Sequence, residues 1–409
     1  MEETHVLLYL EYKPDQIFYV NGFSKNTILP HLIGADQPTG LYGLYQDFPL
    51  IFKKTNTVPA EAKFFYPVIA SKWSFNEIIA EISIDESILI KIKYGQCKIL
   101  LINPFEGWTW TWWDQIASVL MEKFNLKHEH IVFLTGNYFP HDTHKTVVFN
   151  TWERQIYANY CSSDHYERCR ESVGNYRPYK FICLNRRPSI HRYAVVTSLF
   201  DIRDQGILTC ATTGSYGNDY QNWVEGHFLN DYAELSHKYN ATVKPILPLS
   251  YTDGINPEVD NPAANEWGKI DKYFSSYLYI VTETYFEGKS QGESTLFLSE
   301  KIFKPMIFFQ PFVVFGRPGT IKLLNSLGYS TFGKWIDESY DDELDDKKRM
   351  YKALESVNSF VNKSHVELKQ IMIEMAPIFE NNYKRLKNRY DQEIYANLAT
   401  HLNNCLHNL

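Results

Sequence analysis

Residues 97–137 read CKILLINPFEGWTWTWWDQIASVLMEKFNLKHEHIVFLTGN. The two ends, 97–104 and 130–137, are short apolar runs that close in turn chemistry, the pattern of buried strands. Between them, residues 112–126 space their apolar side chains at helical intervals. A strand, a helix and a second strand in that order are the signature of a parallel sheet. HVLLYLEY at residues 5–12 reads as a further buried strand.

The pattern restarts downstream. Residues 179–185 (YKFICLN) read as a strand and 189–201 (SIHRYAVVTSLFD) as a helix capped by Ser189. Residues 277–284 (YLYIVTET) and 312–316 (FVVFG) read as strands, and 320–328 (TIKLLNSLG) as a helix ended by Gly328. With 409 residues, the chain exceeds the ~250–300 at which single cores stop growing. The expected class is therefore α/β, with two Rossmann-like domains facing each other. The expected limits are 1–170 and 179–340, followed by C-terminal helices at 341–409 that pack across both domains. The polar, aperiodic stretch 161–178 marks the boundary between the first two. The acidic run 337–346 reads as a solvated loop and helix start, and it lacks the glycine-containing pattern of a calcium loop.

Composition narrows the function classes. A formal net charge of -7 means that any nucleic-acid contact must be local. The six cysteines include no CxxC pair, so a disulfide framework or a structural zinc site is not expected. The N-terminal run lacks the basic flank and length of a signal peptide, and no segment approaches the ~18–20 apolar residues of a membrane helix. A cytoplasmic protein without a membrane span is expected.

Two constellations carry chemistry. In CLNRRPSIHR, residues 183–192, a strand runs through a turn into a helix, and Arg186, Arg187, His191 and Arg192 crowd the junction. Cations there oppose the helix dipole, and a phosphate held by free N–H groups and guanidinium forks would compensate them. Pairing with surface acids is the competing explanation. The second constellation is VTETYFEGKSQGESTLFLSEKIFKP, residues 281–305. Its strand ends near Glu283, and Ser299 caps a helix whose first turn holds Glu300 and Lys301. Ile302, Phe303, Met306 and Ile307 form the core-facing stripe, with Lys301 and Lys304 neighbours on the other side. Pro305 predicts a short or kinked helix. Lysine at the helix start suits a diphosphate and Glu300 suits ribose hydroxyls; a solvated helix face is the alternative. Two basic helix starts after strands of one domain suit a nucleoside diphosphate.

These residues resemble a known group. KFICLNRRPSIHR, then IVTET, FLSEKIFKP and PFVVFG, resembles the donor-binding half of fucosyltransferase-like glycosyltransferases. It is more similar still to glycosyltransferase-like proteins common in phages and marine bacteria. The resemblance covers roughly residues 179–335. It implies a two-Rossmann GT-B architecture, a nucleotide-sugar donor, and no metal or other cofactor. It carries the diphosphate-binding arginine onto Arg192, the ribose glutamate and phosphate lysine onto Glu300 and Lys301, and an upstream acid onto Glu283. Arg186 and Lys304 are expected helpers. Thr284 stands where the family has asparagine, and Ser299 where it usually has threonine.

Inverting glycosyl transfer needs a base on the acceptor side. Glu106 follows a predicted strand at a place comparable to the family's catalytic glutamate, and Asp114 is the second candidate. The four tryptophans of residues 107–113 suit either interdomain packing or a stacking platform for a sugar or base. His141 and His144 lack further ligands at metal spacing. The acceptor is left as a hydroxymethylated base of phage DNA, reached by base flipping, or a glycan such as lipopolysaccharide. A non-catalytic nucleotide-binding protein on the same fold is the competing class.

Overall fold

The computed structural model describes residues 6–9, 52–55, 63–69, 84–103, 110–138, 146–212, 217–249, 271–288 and 295–407. The chain divides into two compact units. One comprises Met1–Gln155, Glu293–Phe297 and Asn388–Leu409, the other Ile156–Gly292 and Leu298–Lys387. The described strands are β1 (Val6–Tyr9), β2 (Phe52–Thr55), β3 (Phe64–Ile69), β4 (Cys97–Asn103), β5 (Ile131–Thr135), β6 (Asn137–Tyr138), β7 (Thr146–Val148), β8 (Tyr179–Cys183), β9 (Gly206–Leu208), β10 (Ser276–Thr282), β11 (Leu296–Phe297) and β12 (Phe312–Phe315).

The first unit holds a six-stranded sheet in the order β2-β1-β3-β4-β5-β7, with every pairing parallel. Every residue of β4 and β5 is buried, as expected of strands covered on both faces. Alternation along them sorts the core into two layers. Ile99, Leu101, Ile131 and Phe133 pack with Ile88 and Ile92 of helix Glu86–Lys93 and with Trp113, Ile116 and Leu120 of helix Trp110–Phe124. Leu100, Ile102, Val132 and Leu134 face Leu398, Leu402 and Leu406 of the last helix, Ile394–His407. Lys98 lies on this second face, 1% exposed, and its ammonium donates to the Cys405 carbonyl at 2.7 Å near the helix C-terminus.

In the second unit the order is β12-β10-β8-β9, again all parallel. Read from the other edge, its first four strands follow the same order as those of the first unit: second, first, third, fourth. Helix Ile190–Leu199 connects β8 to β9, helix Gly217–Asp231 follows β9, and helix Glu300–Ile307 precedes β12. In this winding the crevice opens between β8 and β10, at their carboxyl ends, where the connections diverge.

Gly206 opens β9 opposite Phe181 of β8, and a Cβ there would lie 2.5 Å from the Phe181 ring. Gly206→Ala is expected to lower unfolding free energy by about 1–3 kcal/mol through overpacking, read as a lower urea midpoint at unchanged slope. An unchanged midpoint would show that Phe181 can move aside.

Several expectations change. Residues 161–178 are not irregular: they hold helix Ser163–Ser172, capped by Ser162, whose hydroxyl accepts from the His165 N–H at 3.3 Å. Its inner stripe is His165, Tyr166 and Cys169, packed on Phe308, Phe309 and Tyr383, so no aliphatic period marks it. The units part between Gln155 and Ile156, upstream of that helix. The C-terminal helices are also divided, with residues up to Lys387 in the second unit and the remainder in the first. Asp341 of the acidic run is buried rather than solvated. Its carboxylate accepts from the N–H groups of Ile321 and Lys322, at 2.9 and 3.1 Å, and caps helix Thr320–Ser326. Asp345 does start a helix, Asp346–Val361, accepting from the Lys348 N–H at 3.0 Å.

Candidate functional site

The site begins at the strand ends of the second unit. Two residues beyond β8, Asn185 accepts a 2.6 Å bond from the Thr282 hydroxyl at the end of β10. Its amide donates to the Thr209 carbonyl just beyond β9, and its backbone N–H donates to the Thr209 hydroxyl. One buried asparagine thus pins three strand ends together.

Arg192 is the third residue of helix Ile190–Leu199, and its guanidinium turns back toward those ends. It donates to the carbonyls of Arg187 at 2.9 Å, Thr282 at 3.2 Å and Glu283 at 3.4 Å. Its Nε is buried without a hydrogen-bond partner. Burial lowers the Arg192 pKa, while Glu300 and Glu283 oppose that shift. His191 packs on Phe286, and its Nε2 lies 3.0 Å from the Glu283 carbonyl, which can only accept. The proton is therefore on Nε2, leaving Nδ1 to accept from the Ser189 hydroxyl. Burial first, then Arg192, holds this imidazole well below its ordinary pKa, so it is neutral.

The Glu283 carboxylate accepts from the Thr284 N–H at 3.0 Å, and from the Ser299 N–H and hydroxyl at 3.2 and 2.6 Å. Burial pushes its pKa up, against Lys301 and the Ser299 bond. Ser299 caps helix Glu300–Ile307 and also accepts from the Lys301 ammonium at 3.1 Å. Lys301 lies 3.0 Å from a Glu300 oxygen, with side-chain exposures of 21% and 9%. Burial works to raise the Glu300 pKa, but Lys301 and Lys304 outweigh it and hold the carboxyl at about 2. Glu300 therefore stays ionised at neutral pH.

Lys304 is not on a solvated face. It is 1% exposed, because this eight-residue helix is buried almost all round and only Lys301 reaches partly out. Burial lowers the Lys304 pKa to about 8, with Glu300 opposing and Lys301 adding to the shift. Pro305 lies inside the helix, which is short as its proline predicts.

Three cations, Arg192, Lys301 and Lys304, thus surround two carboxylates at the β8–β10 crevice. Both oxygens of Glu283 are spent on Ser299 and Thr284, so it shapes the loop, and Glu300 is the better placed acid for a hydroxyl-bearing ligand. Arg186 is half-buried in the turn beyond β8 and Arg187 is exposed. Behind them Arg349, 1% exposed, donates to the carbonyls of Phe286, Gly316 and Glu343, and so holds together the loops after β10 and β12. Sequence reading had singled out neither Asn185 nor Arg349. The signal for Asn185 was an amide directly after an apolar strand; Arg349 gave none, because it sits in a lysine-rich helix start.

Glu106 lies outside the described residues, just beyond β4, as do His141 and His144. Asp114 is half-buried within helix Trp110–Phe124. Trp113 is core, edge-on to Phe133 at 5.0 Å, and Trp112 packs against the same cluster, so neither forms an open platform. Among the described residues no group of three or more potential ligands could hold a metal, and no helix is long and apolar enough to cross a membrane. All six cysteines are thiols. Comparison with protein-family models, curated proteins and solved structures finds no match to this chain.

Proposed function

We propose that the second unit binds the diphosphate of a nucleotide-sugar and that the chain is a glycosyltransferase with two Rossmann-like halves of GT-B type. The observation that carries this reading is a cluster of three cations, Arg192 and Lys304 buried and Lys301 partly exposed, against two buried carboxylates at a strand-end crevice of a parallel sheet. Arg192 and Lys301, with Lys304 behind, suit a diphosphate, and Glu300 suits ribose hydroxyls. Arg186 is a further candidate contact.

In the reaction, an acceptor hydroxyl oxygen bonds to the anomeric carbon as the bond to the diphosphate oxygen breaks. The hydroxyl proton goes to a base, assigned to Glu106, and the charge gathering on the leaving diphosphate meets Arg192 and Lys301. The acceptor is a hydroxymethylated DNA base or a glycan hydroxyl.

A thermal-shift panel of nucleotide-sugars tests the reading. One donor should raise the melting temperature by mass action, with about 2.7 kcal/mol of added stability at a hundredfold excess over Kd. Transfer of radiolabel from that donor to hydroxymethylated DNA or to lipopolysaccharide then identifies the acceptor. Glu106→Gln should keep donor binding and lose about 10²–10⁴-fold in turnover. Binding without transfer to any acceptor would favour a non-catalytic nucleotide-binding protein. If no nucleotide-sugar is bound or hydrolysed, the glycosyltransferase reading fails.

A further inference from the structure

Helix Gly217–Asp231 carries an aromatic ladder that the diphosphate site does not use. Tyr220 and Trp223 stack with ring centroids 6.0 Å apart at 22°, and Trp223 meets His227 at 4.5 Å. Trp223 is 55% exposed, while Val224 and Phe228 on the opposite face are fully buried. An isolated exposed aromatic needs no explanation, but Tyr220 and Trp223 lie nearly parallel along one face, with His227 tilted 56° against Trp223 beyond them.

The position of the ladder gives it meaning. The helix follows β9, so its first turns lie toward the carboxyl ends of the strands, the same end of the sheet as Arg192. Its inner face is fastened to the helix that bears Arg192: Phe228 packs edge-on against Tyr193 at 5.9 Å. Tyr220 lies within electrostatic reach of the Arg192 guanidinium, whose buried Nε lacks a partner. An orphaned cationic donor and a partly exposed pair of stacked rings therefore lie at the same end of the sheet.

We propose that Tyr220 and Trp223 are the stacking platform for the nucleobase of a nucleotide whose phosphates lie at Arg192 and Lys301. This rests on the diphosphate reading of the crevice and adds the part of the ligand that reading leaves unplaced. A base offers a π-face to the rings whatever its hydrogen-bonding edge, so the platform contributes affinity with little discrimination between bases. Base identity would then be read elsewhere.

Isothermal titration of the full chain with UDP, GDP, ADP and dTDP, and separately with inorganic pyrophosphate, tests this in wild type, Trp223→Ala and Trp223→Phe. The expected result is that a nucleoside diphosphate binds more tightly than pyrophosphate and that Trp223→Ala weakens it by about 5- to 150-fold. Trp223→Phe should retain most of the affinity, and pyrophosphate should bind all three proteins alike. If Trp223→Ala binds the nucleotide as wild type does, or weakens pyrophosphate equally, the platform is wrong and the anion site stands. If neither pyrophosphate nor any nucleotide binds wild type, the anion site is wrong and the platform falls with it.

Discussion

Glu153→Ala is expected to lower the unfolding free energy by about 3–5 kcal/mol, and Arg389→Ala by a similar amount. Glu153 is fully buried in helix Thr151–Tyr160, and its N–H donates to the capping Asn150 side chain at 2.9 Å. Its carboxylate takes a two-pronged contact from Arg389, at 2.7 Å from Nε and 3.2 Å from Nη2. The next residue, Tyr390, donates its hydroxyl to the Asn150 carbonyl at 2.9 Å. Removing either ion leaves the other charge enclosed without its partner, which is why the loss exceeds the worth of a surface pair. The consequence is more than local. Arg389 leads into helix Ile394–His407, whose three leucines pack on one face of the first unit's sheet, against β3, β4, β5 and β7. A double-mutant cycle in urea checks this: the double variant should lose much less than the sum of the two single losses. Additive losses, or single losses under ~1 kcal/mol, would mean that the pair behaves as an exposed bridge.

The same contrast between what is local and what is distant sets how much of this fold the sequence discloses. Strands β4, β5, β8, β10 and β12 were legible because burial on both faces makes them continuous apolar runs. β3 was not, since Pro67 reads against a strand, although it pairs with β4 along its whole length. Helix Ser163–Ser172 was missed because its buried stripe is built from histidine, tyrosine and cysteine. Sheet order could not be read at all. Which strand lies beside β8 is decided by contacts across about a hundred residues, such as the Thr282–Asn185 bond, 97 positions apart.

The candidate site divides along the same line. The placement of Arg192, Glu300 and Lys301 was legible because each lies in the first turn of a helix that follows a strand or its loop. Lys304 and Glu283 were legible as positions but not in their surroundings. Burial all round an eight-residue helix put Lys304 inside, and the Ser299 cap took both oxygens of Glu283. Helical periodicity reports one apolar face and cannot report a helix enclosed on several sides.

Affinity for a nucleotide-sugar at the β8–β10 crevice is expected to hold steady up to about pH 8 and to fall beyond it, by up to about tenfold per pH unit. Lys304→Met is expected to abolish that fall. Lys304 is charged below its folded pKa of about 8, so an anion meets the cation already formed and pH has no leverage. Above that value binding must be accompanied by uptake of a proton from solvent onto the neutral amine, and affinity declines until the pKa of the bound state is reached. The donor's diphosphate has no proton to lose in this range, and any slope from ionisation of its base is common to both proteins and cancels in their comparison. Stability moves the opposite way. The folded pKa lies below the ordinary 10.5, so between about 8 and 10.5 the folded chain binds fewer protons than the unfolded one. The contribution of this residue to stability therefore rises with pH across that window. The unfolding free energy of wild type relative to Lys304→Met should grow by up to about 1.4 kcal/mol per pH unit there. Taking the difference at each pH cancels the buried thiols and tyrosines, whose ionisation in the unfolded chain begins in the same range. Donor titrations and urea melts of both proteins between about pH 6.5 and about pH 9.5 provide the two readouts. An equal fall of affinity in both proteins would remove Lys304 from the anion site. A stability difference that does not change with pH would mean that the buried ammonium keeps its ordinary proton affinity.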